Sequence, residues 1–299
     1  MRLLATSAIA ALIGLSSAVA NEPPADSVKK VRVKPDRSHS WAKVQYPYLA
    51  YRDTIFTAES EFFWPEGFHR PDSQSLTPYQ FWISYLPLWH IRRPVGSMFS
   101  GFIFKPEEVS RPVHFTRWKT KFADKTIPLE LWGQFYLNLK RQFDLKIVPY
   151  VGKPLAYEDY LSNSVAYNMH GEVMYTPADK RPDSEDEFTG FVEFCDHQTT
   201  YRSLAANCDS ISADDLKPGD MYITWNENGV KGKVAIVLTM ITNPKGEKLY
   251  AVGTGCPEEC DFYIPLFNND RNYPWISAAQ VPVLFPSNGT AGFFRPRVK

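Results

Sequence analysis

The chain has 299 residues, with 33 Lys and Arg against 33 Asp and Glu, so its formal net charge is zero. Nucleic-acid binders usually carry a basic stripe, and a charge balance this even argues against that class of partner. Hydrophobic residues make up 44% and charged residues 22%, which excludes a disordered, collagen-like or coiled-coil chain and leaves a packed globular domain.

The start of the chain has the three parts of a secretory signal peptide over residues 1–20. Met1 and Arg2 give a short basic start, an apolar stretch covers 3–15, and Ala-Val-Ala at 18–20 precedes the expected cleavage site. That stretch is short for a membrane anchor, which needs about 20 apolar residues, and no later stretch approaches this length. We therefore expect export, to the periplasm or the medium, and no membrane span in the mature chain.

Downstream of the signal peptide, the sequence predicts an arm and then three helices. Residues 21–57 contain prolines and mixed charges, and we expect an extended arm lying on a single domain over 58–299. Proline at the start and apolar residues at helical spacing predict a helix over 78–86. A four-residue apolar repeat predicts a second helix over about 128–143. A third is expected over 188–197, after an acidic run that suits a helix N-terminus.

Short strands separated by turns dominate the rest of the chain. The expected strands are 145–151, 220–225, 233–241, 248–253 and 261–266. Asn-Pro-Lys-Gly at 243–246 joins two of them as a hairpin. Helices grouped first and a strand meander afterwards predict an α+β fold.

Four cysteines lie in the part expected to be exported, where thiols can oxidise: Cys195, Cys208, Cys256 and Cys260. The short spacing of Cys256 and Cys260 favours a local disulfide, which leaves Cys195 to pair with Cys208. The alternative is a zinc site, but no His lies near Cys260. Motifs for nucleotide binding, serine hydrolysis and zinc proteolysis do not occur, so we expect no metal and no cofactor.

Several sequence segments occur in a defined order. They are an apolar stretch at 187–194, Leu-Lys-Pro-Gly-Asp at 216–220 and Gly-Lys-Val-Ala-Ile-Val at 232–237. This series resembles the core of NlpC-type cell-wall cysteine peptidases, whose fold is papain-like. Together with Pro-Glu-Gly-Phe at 65–68 and Pro-Trp at 274–275, it also resembles the bacterial family called domain of unknown function 4846, over about residues 60–296.

The resemblance assigns positions for a catalytic dyad that this chain does not keep. In the peptidases a Cys at a helix N-terminus is the nucleophile and a His at the start of a strand is its base. The matching positions hold Phe188 and Lys233, and the group that orients the His falls near Val252 or Thr254. Phenylalanine cannot attack a carbonyl, so the resemblance implies a papain-like scaffold without its catalysis. The competing interpretation makes Phe188 a core residue and Lys233 a surface residue.

We therefore expect an exported cell-envelope protein that binds peptidoglycan, a glycan or an envelope protein. Aromatic side chains suit such ligands, and the candidate groove residues are Thr189, Trp225 and Trp275. One alternative is an active peptidase or amidase on cell-wall material that uses other residues. A carbohydrate-active enzyme with paired carboxylates is a third possibility.

Overall fold

The computed structural model describes residues 30–31, 46, 56–97, 101–115, 122–150, 152–267 and 269–298. The expected signal peptide at 1–20 and most of the arm at 21–57 lie outside these residues. Within the described ranges, every helix is too short or too polar to cross a membrane.

The described residues form seven α-helices. They are α1 (Ala58–Glu61), α2 (Pro78–Ser84), α3 (Ile127–Asn138), α4 (Tyr157–Ser162), α5 (Glu185–Gln198), α6 (Tyr201–Ala206) and α7 (Gln280–Leu284). Single turns of 3₁₀-helix occur at Ser73–Ser75, Pro106–Glu108, Gln142–Asp144 and Ala213–Asp215. All three helices that the sequence predicts are therefore present, as α2, α3 and α5.

Side chains at the starts of α2 and α5 explain why these helices begin where they do. Thr77 and Gln80 form a capping box, in which each side chain accepts from the other's backbone N–H, at 3.3 and 3.0 Å. The hydroxyl of Ser184 accepts from the N–H of Glu187 at 3.2 Å. Three acidic residues in the first turn of α5 lie where the helix dipole favours negative charge, as the sequence predicts.

Helix α3 is shorter than the sequence predicts. It ends at Asn138, and Lys140 adopts a φ of 55°, in the left-handed region that terminates helices. The strand expected over 145–151 is reduced to two residues, because Pro149 has no N–H to donate to a neighbouring strand.

The strands are numbered in chain order. They are β1 (Lys30–Val31), β2 (Phe56–Thr57), β3 (Trp64–Pro65), β4 (Pro87–Leu88), β5 (Val95–Ser97), β6 (Gly101–Phe104), β7 (Val109–Pro112), β8 (Lys146–Ile147), β9 (Leu155–Ala156), β10 (Asn163–Tyr167), β11 (Val173–Pro177), β12 (Cys208–Ile211), β13 (Met221–Trp225), β14 (Gly232–Thr242), β15 (Lys248–Thr254), β16 (Tyr263–Pro265), β17 (Trp275–Ile276) and β18 (Thr290–Pro296). Strands β13 to β16 confirm the four strands predicted after residue 220.

Eight strands form one antiparallel sheet with the order β12-β18-β13-β14-β15-β16-β7, and β17 pairs with β15. The remaining ten strands form five separate two-stranded sheets. The molecule therefore has a mixed α and β architecture built on a large antiparallel sheet, which is compatible with the predicted α+β class.

Both faces of the large sheet are buried. Because successive residues of a strand point to opposite sides, neighbouring residues of β14 belong to different cores. On β14, Val234 and Ile236 face the larger core, to which α2, α3, α5 and α6 contribute. Ala235 and Val237 face a second core, which includes Val281 of α7. The central strands are therefore held by apolar contacts on both sides.

A buried ion pair closes the turn that leads into β13. The Asp220 carboxylate accepts two bonds from the Arg295 guanidinium, at 2.8 and 2.7 Å, and a third from the N–H of Lys217 at 2.7 Å. Gly219, inside this turn, has a φ of 86°, which only glycine adopts without strain. The carboxylate thus joins the Pro-Gly turn to β18, the neighbouring strand.

We predict that Asp220→Ala lowers the free energy of unfolding by about 3 kcal/mol, because it breaks a buried, bidentate pair. The matched control is Asp209→Ala, which removes the exposed partner of Arg297 at 2.8 Å and should cost less than about 1 kcal/mol. Urea unfolding followed by tryptophan fluorescence measures both. Equal losses in the two variants would contradict this assignment.

Candidate functional site

Phe188 and Lys233 lie in different surroundings. The Phe188 ring packs against Tyr157 and Phe191, with ring centres 5.0 and 6.0 Å away, and is buried where α5 packs on α3 and α4. Lys233 lies on the sheet, where its N–H donates to the Thr224 hydroxyl at 3.0 Å. These contacts favour the interpretation of Phe188 as a core residue of the helix layer.

The other positions taken from the resemblance also make structural contacts. Val252 is buried in the second core, opposite Val237 on β14. The Thr254 hydroxyl donates to the carbonyl of Val234 at 2.6 Å, so this side chain does lie beside the start of β14. Thr189 is half-buried and donates to the Glu185 carbonyl within its own helix.

The two tryptophans proposed for the groove differ in exposure. Trp225 is half-buried and packs on Phe294, with ring centres 5.8 Å apart. Trp275 is only 3% exposed, and its indole N–H donates to the carbonyl of Phe63 at 2.6 Å. The assignment of Trp275 to an open groove is therefore wrong, because its ring and its polar atom are both used inside the core.

All four cysteines are free thiols in the structure, so neither predicted disulfide is present. Cys195 is buried in α5, whereas Cys208 begins β12 and its thiol donates to the Leu204 carbonyl. Cys256 and Cys260 are neighbours, since the N–H of Cys256 donates to the sulfur of Cys260 at 3.0 Å.

A buried carboxyl group that the sequence analysis missed lies at the start of β14. Asp124 accepts from the Tyr201 hydroxyl at 2.6 Å and from the N–H of Val234 at 3.2 Å, and its side chain is buried. It therefore connects three elements: the segment before α3, helix α6 and strand β14. Burial raises the pKa of Asp124 to about 6, although the Tyr201 hydroxyl and the Val234 N–H both oppose that rise.

Helix α6 begins beside the start of β14, because a Cβ at Gly232 would be 2.9 Å from the Tyr201 side chain, and helix α3 begins there too. The N-terminal residue of α3, Ile127, lies so close to Gly255, just after β15, that a Cβ at Gly255 would be 2.7 Å from the Ile127 side chain. The resemblance places the start of α5 next to this strand, whereas the structure has the start of α3 there. Pro128 at the first turn marks the start of α3 in the sequence, but no local pattern indicates which helix contacts which strand.

The loop over 256–260 lies along the segment that precedes α3. The N–H of Asp124 donates to the carbonyl of Cys256 at 2.8 Å, and Phe122 and Cys260 exchange two backbone hydrogen bonds, at 2.8 and 3.0 Å. The thiol pair is thus fixed next to the buried carboxyl group. No three or more His, Cys, Asp or Glu side chains converge as a metal site in the described part of the chain.

A cavity of about 520 Å³ lies at the other end of α3. Its lining combines aromatic rings with cationic, amide and small apolar groups: Trp132, Tyr136, Arg141, Phe143, Asp144, Leu145, Lys146, Val148, Pro154, Asn207, Arg297 and Val298. Arg141 pairs with Asp144 at 2.6 Å and Arg297 with Asp209 at 2.8 Å, so among the described residues Lys146 is the cation of this lining without a carboxylate partner. The described lining contains no Cys, Ser or His that could act as a nucleophile or base.

No family model matches this chain, and no curated protein or solved structure is significantly similar to it. The resemblance to NlpC-type peptidases and to domain of unknown function 4846 therefore stays a prediction from the sequence.

We predict that Phe188→Ala lowers the free energy of unfolding by about 3–5 kcal/mol, because it leaves a cavity beside the rings of Tyr157 and Phe191. Lys233→Ala should cost less than about 1 kcal/mol, as expected for a half-buried side chain whose backbone makes the hydrogen bond. Thermal or urea unfolding compares the two variants. A stable Phe188→Ala protein would contradict the core assignment.

The Asp124 carboxyl group should make stability depend on pH. Its folded-state pKa of about 6 exceeds the ordinary 3.8, so the stability present at low pH is lost as pH rises through this interval. Relative to Asp124→Asn, which cannot ionise, we expect the wild type to lose about 3 kcal/mol of its free energy of unfolding as the pH rises through this interval. Each pKa unit is worth about 1.4 kcal/mol.

Urea unfolding at a series of pH values measures this difference. The Tyr201 hydroxyl lowers the pKa of Asp124, so Tyr201→Phe should raise that pKa further. In this variant the pH-dependent loss of stability should therefore extend to higher pH than in the wild type. Parallel pH profiles for the wild type and Asp124→Asn would contradict the assignment.

Proposed function

We propose that this chain is an exported cell-envelope protein whose papain-like domain binds anionic wall peptides without cleaving them. The observation that carries the proposal is the cavity at the end of α3, whose edge carries the exposed Phe143 and Lys146. Its location in the envelope rests on the signal-peptide pattern of residues 1–20.

The cavity has the size and chemistry for a short peptide. Its volume of about 520 Å³ lies within the range of roughly 300–1,000 Å³ that is usual for small-ligand sites. Phe143 is 44% exposed and offers a flat apolar face to the ligand's side chains and peptide planes, whereas Trp132 and Tyr136 are each only 3% exposed. Lys146 is exposed at its edge and can pair with a carboxylate of the peptide.

Binding without cleavage is supported by the packing of Phe188 and by the side chains that line the cavity. Phe188, at the position that the resemblance assigns to the nucleophile, packs in the helix layer. The described cavity lining offers no thiol, hydroxymethyl or imidazole group for covalent catalysis. The lining therefore favours binding of a ligand by its charge and shape over covalent catalysis.

Titration calorimetry with a peptidoglycan-derived tetrapeptide that ends in a free carboxylate tests this proposal. We expect the mature chain to bind it, and Lys146→Gln to weaken binding about five- to tenfold by removing a charged partner. The matched control is Lys245→Gln, which makes the same change at an exposed residue of the β14–β15 turn and should leave the affinity unchanged. Equal effects of the two substitutions, or no binding at all, would overturn the proposal.

Incubation with purified cell wall tests the absence of catalysis. We expect co-sedimentation with the wall and no soluble peptide fragments by mass spectrometry. Release of such fragments would instead establish the alternative of an active hydrolase.

A further inference from the structure

The loop over 256–260, between β15 and β16, carries two thiols and is held in place by hydrogen bonds to neighbouring segments. The segment 122–124 holds both ends of the loop by backbone hydrogen bonds, at Cys256 and at Cys260. Asp261, just after the loop, accepts from the N–H of Gly96 at 2.8 Å and from Arg93 at 3.2 Å. These bonds fix the two cysteines relative to each other.

The two thiols differ in access. Cys256 is partly exposed and is followed by the exposed Pro257 and Glu258, whereas Cys260 is 0% exposed. The N–H of Cys256 donates to the Cys260 sulfur at 3.0 Å, and the Cys260 thiol donates to the Asp261 carbonyl at 3.2 Å. A molecule arriving from solvent therefore meets Cys256 first, with Cys260 directly behind it.

The surroundings also favour the thiolate on Cys256. The neighbouring Cys260 side chain and the Tyr263 hydroxyl lower the pKa of Cys256, although burial and the negative charges of Asp124 and Glu258 oppose them. The Cys256 thiol and burial raise the pKa of Cys260. The accessible sulfur is therefore the better nucleophile, and the buried one keeps its proton.

The two remaining cysteines provide an internal comparison. Cys195 and Cys208 are both buried, and burial raises the pKa of each thiol. Both lie away from solvent, and among the described residues neither is hydrogen-bonded to another sulfur. They serve as controls for reactivity within the same molecule.

We propose that Cys256 and Cys260 are a redox-active dithiol that exchanges with disulfides of peptides or proteins, with Cys256 as the attacking and Cys260 as the resolving thiol. This inference rests on the loop alone and does not depend on the proposed peptide-binding cavity. The substrate disulfide is itself the oxidant, so no further redox partner is needed.

The exchange takes place in two balanced steps. The Cys256 thiolate attacks one sulfur of the substrate disulfide, whose sulfur–sulfur bond breaks, and the second substrate sulfur leaves as a thiolate that takes up a proton. Cys260 then gives up its proton and attacks the Cys256 sulfur, which breaks the mixed disulfide and releases the first substrate sulfur as a thiol. Counting the proton that Cys256 releases when it becomes a thiolate, the protein loses two electrons and two protons, and the two substrate sulfurs gain them.

The first test uses the wild-type mature chain with oxidised glutathione as the probe, followed by alkylation and peptide mass spectrometry. We expect one intramolecular disulfide between Cys256 and Cys260, reversed by reduced glutathione, while Cys195 and Cys208 react only after unfolding. A disulfide that persists in a large excess of reduced glutathione would be structural and would overturn the proposal. Equal reactivity of all four cysteines would also overturn it.

The second test assigns the two roles. Cys260→Ser should trap a glutathione adduct on Cys256, because the resolving thiol is absent, whereas Cys256→Ser should form no adduct. Cys208→Ser is the matched control and should still form the Cys256–Cys260 disulfide. An adduct on Cys260 in Cys256→Ser at the wild-type rate would contradict the assigned order of attack.

Discussion

The arrangement of the domain depends on one buried carboxyl group. Asp124 lies just before α3, and its two oxygens accept from the Tyr201 hydroxyl on α6 and from the backbone of Val234 on β14. One side chain therefore sets where two helices meet the central strand of the sheet. Burying an acidic group is costly, which the raised pKa of Asp124 reflects, and the hydrogen bonds offset part of that cost.

Helix α3 separates the two sites that we propose. Its start lies beside Asp124 and the thiol loop, and Trp132 in its middle and Tyr136 in its second half line the cavity. Twelve residues of α-helix span about 18 Å, so a peptide in the cavity and a disulfide at Cys256 occupy different regions of the surface. The two proposals can therefore fail or succeed independently.

Elements with local signals could be predicted from the sequence, and contacts between distant segments could not. Pro78, the acidic run at the start of α5 and the 243–246 turn locate α2, α5 and the β14–β15 hairpin. The pairing of α3 with the start of β14 depends on Asp124, which has no distinguishing neighbours in the sequence. The apolar face of α5 was compatible with either a core or a cleft, and only the packing of Phe188 on Tyr157 distinguishes them.

The position of β18 has a consequence for biosynthesis. This strand is the last of the sheet along the chain, yet it lies between β12 and β13 and is the strand that joins them. The ribosome must therefore deliver residues 290–296 before β12 can attach to the other strands. Until then the nascent polypeptide lacks a closed core on that side.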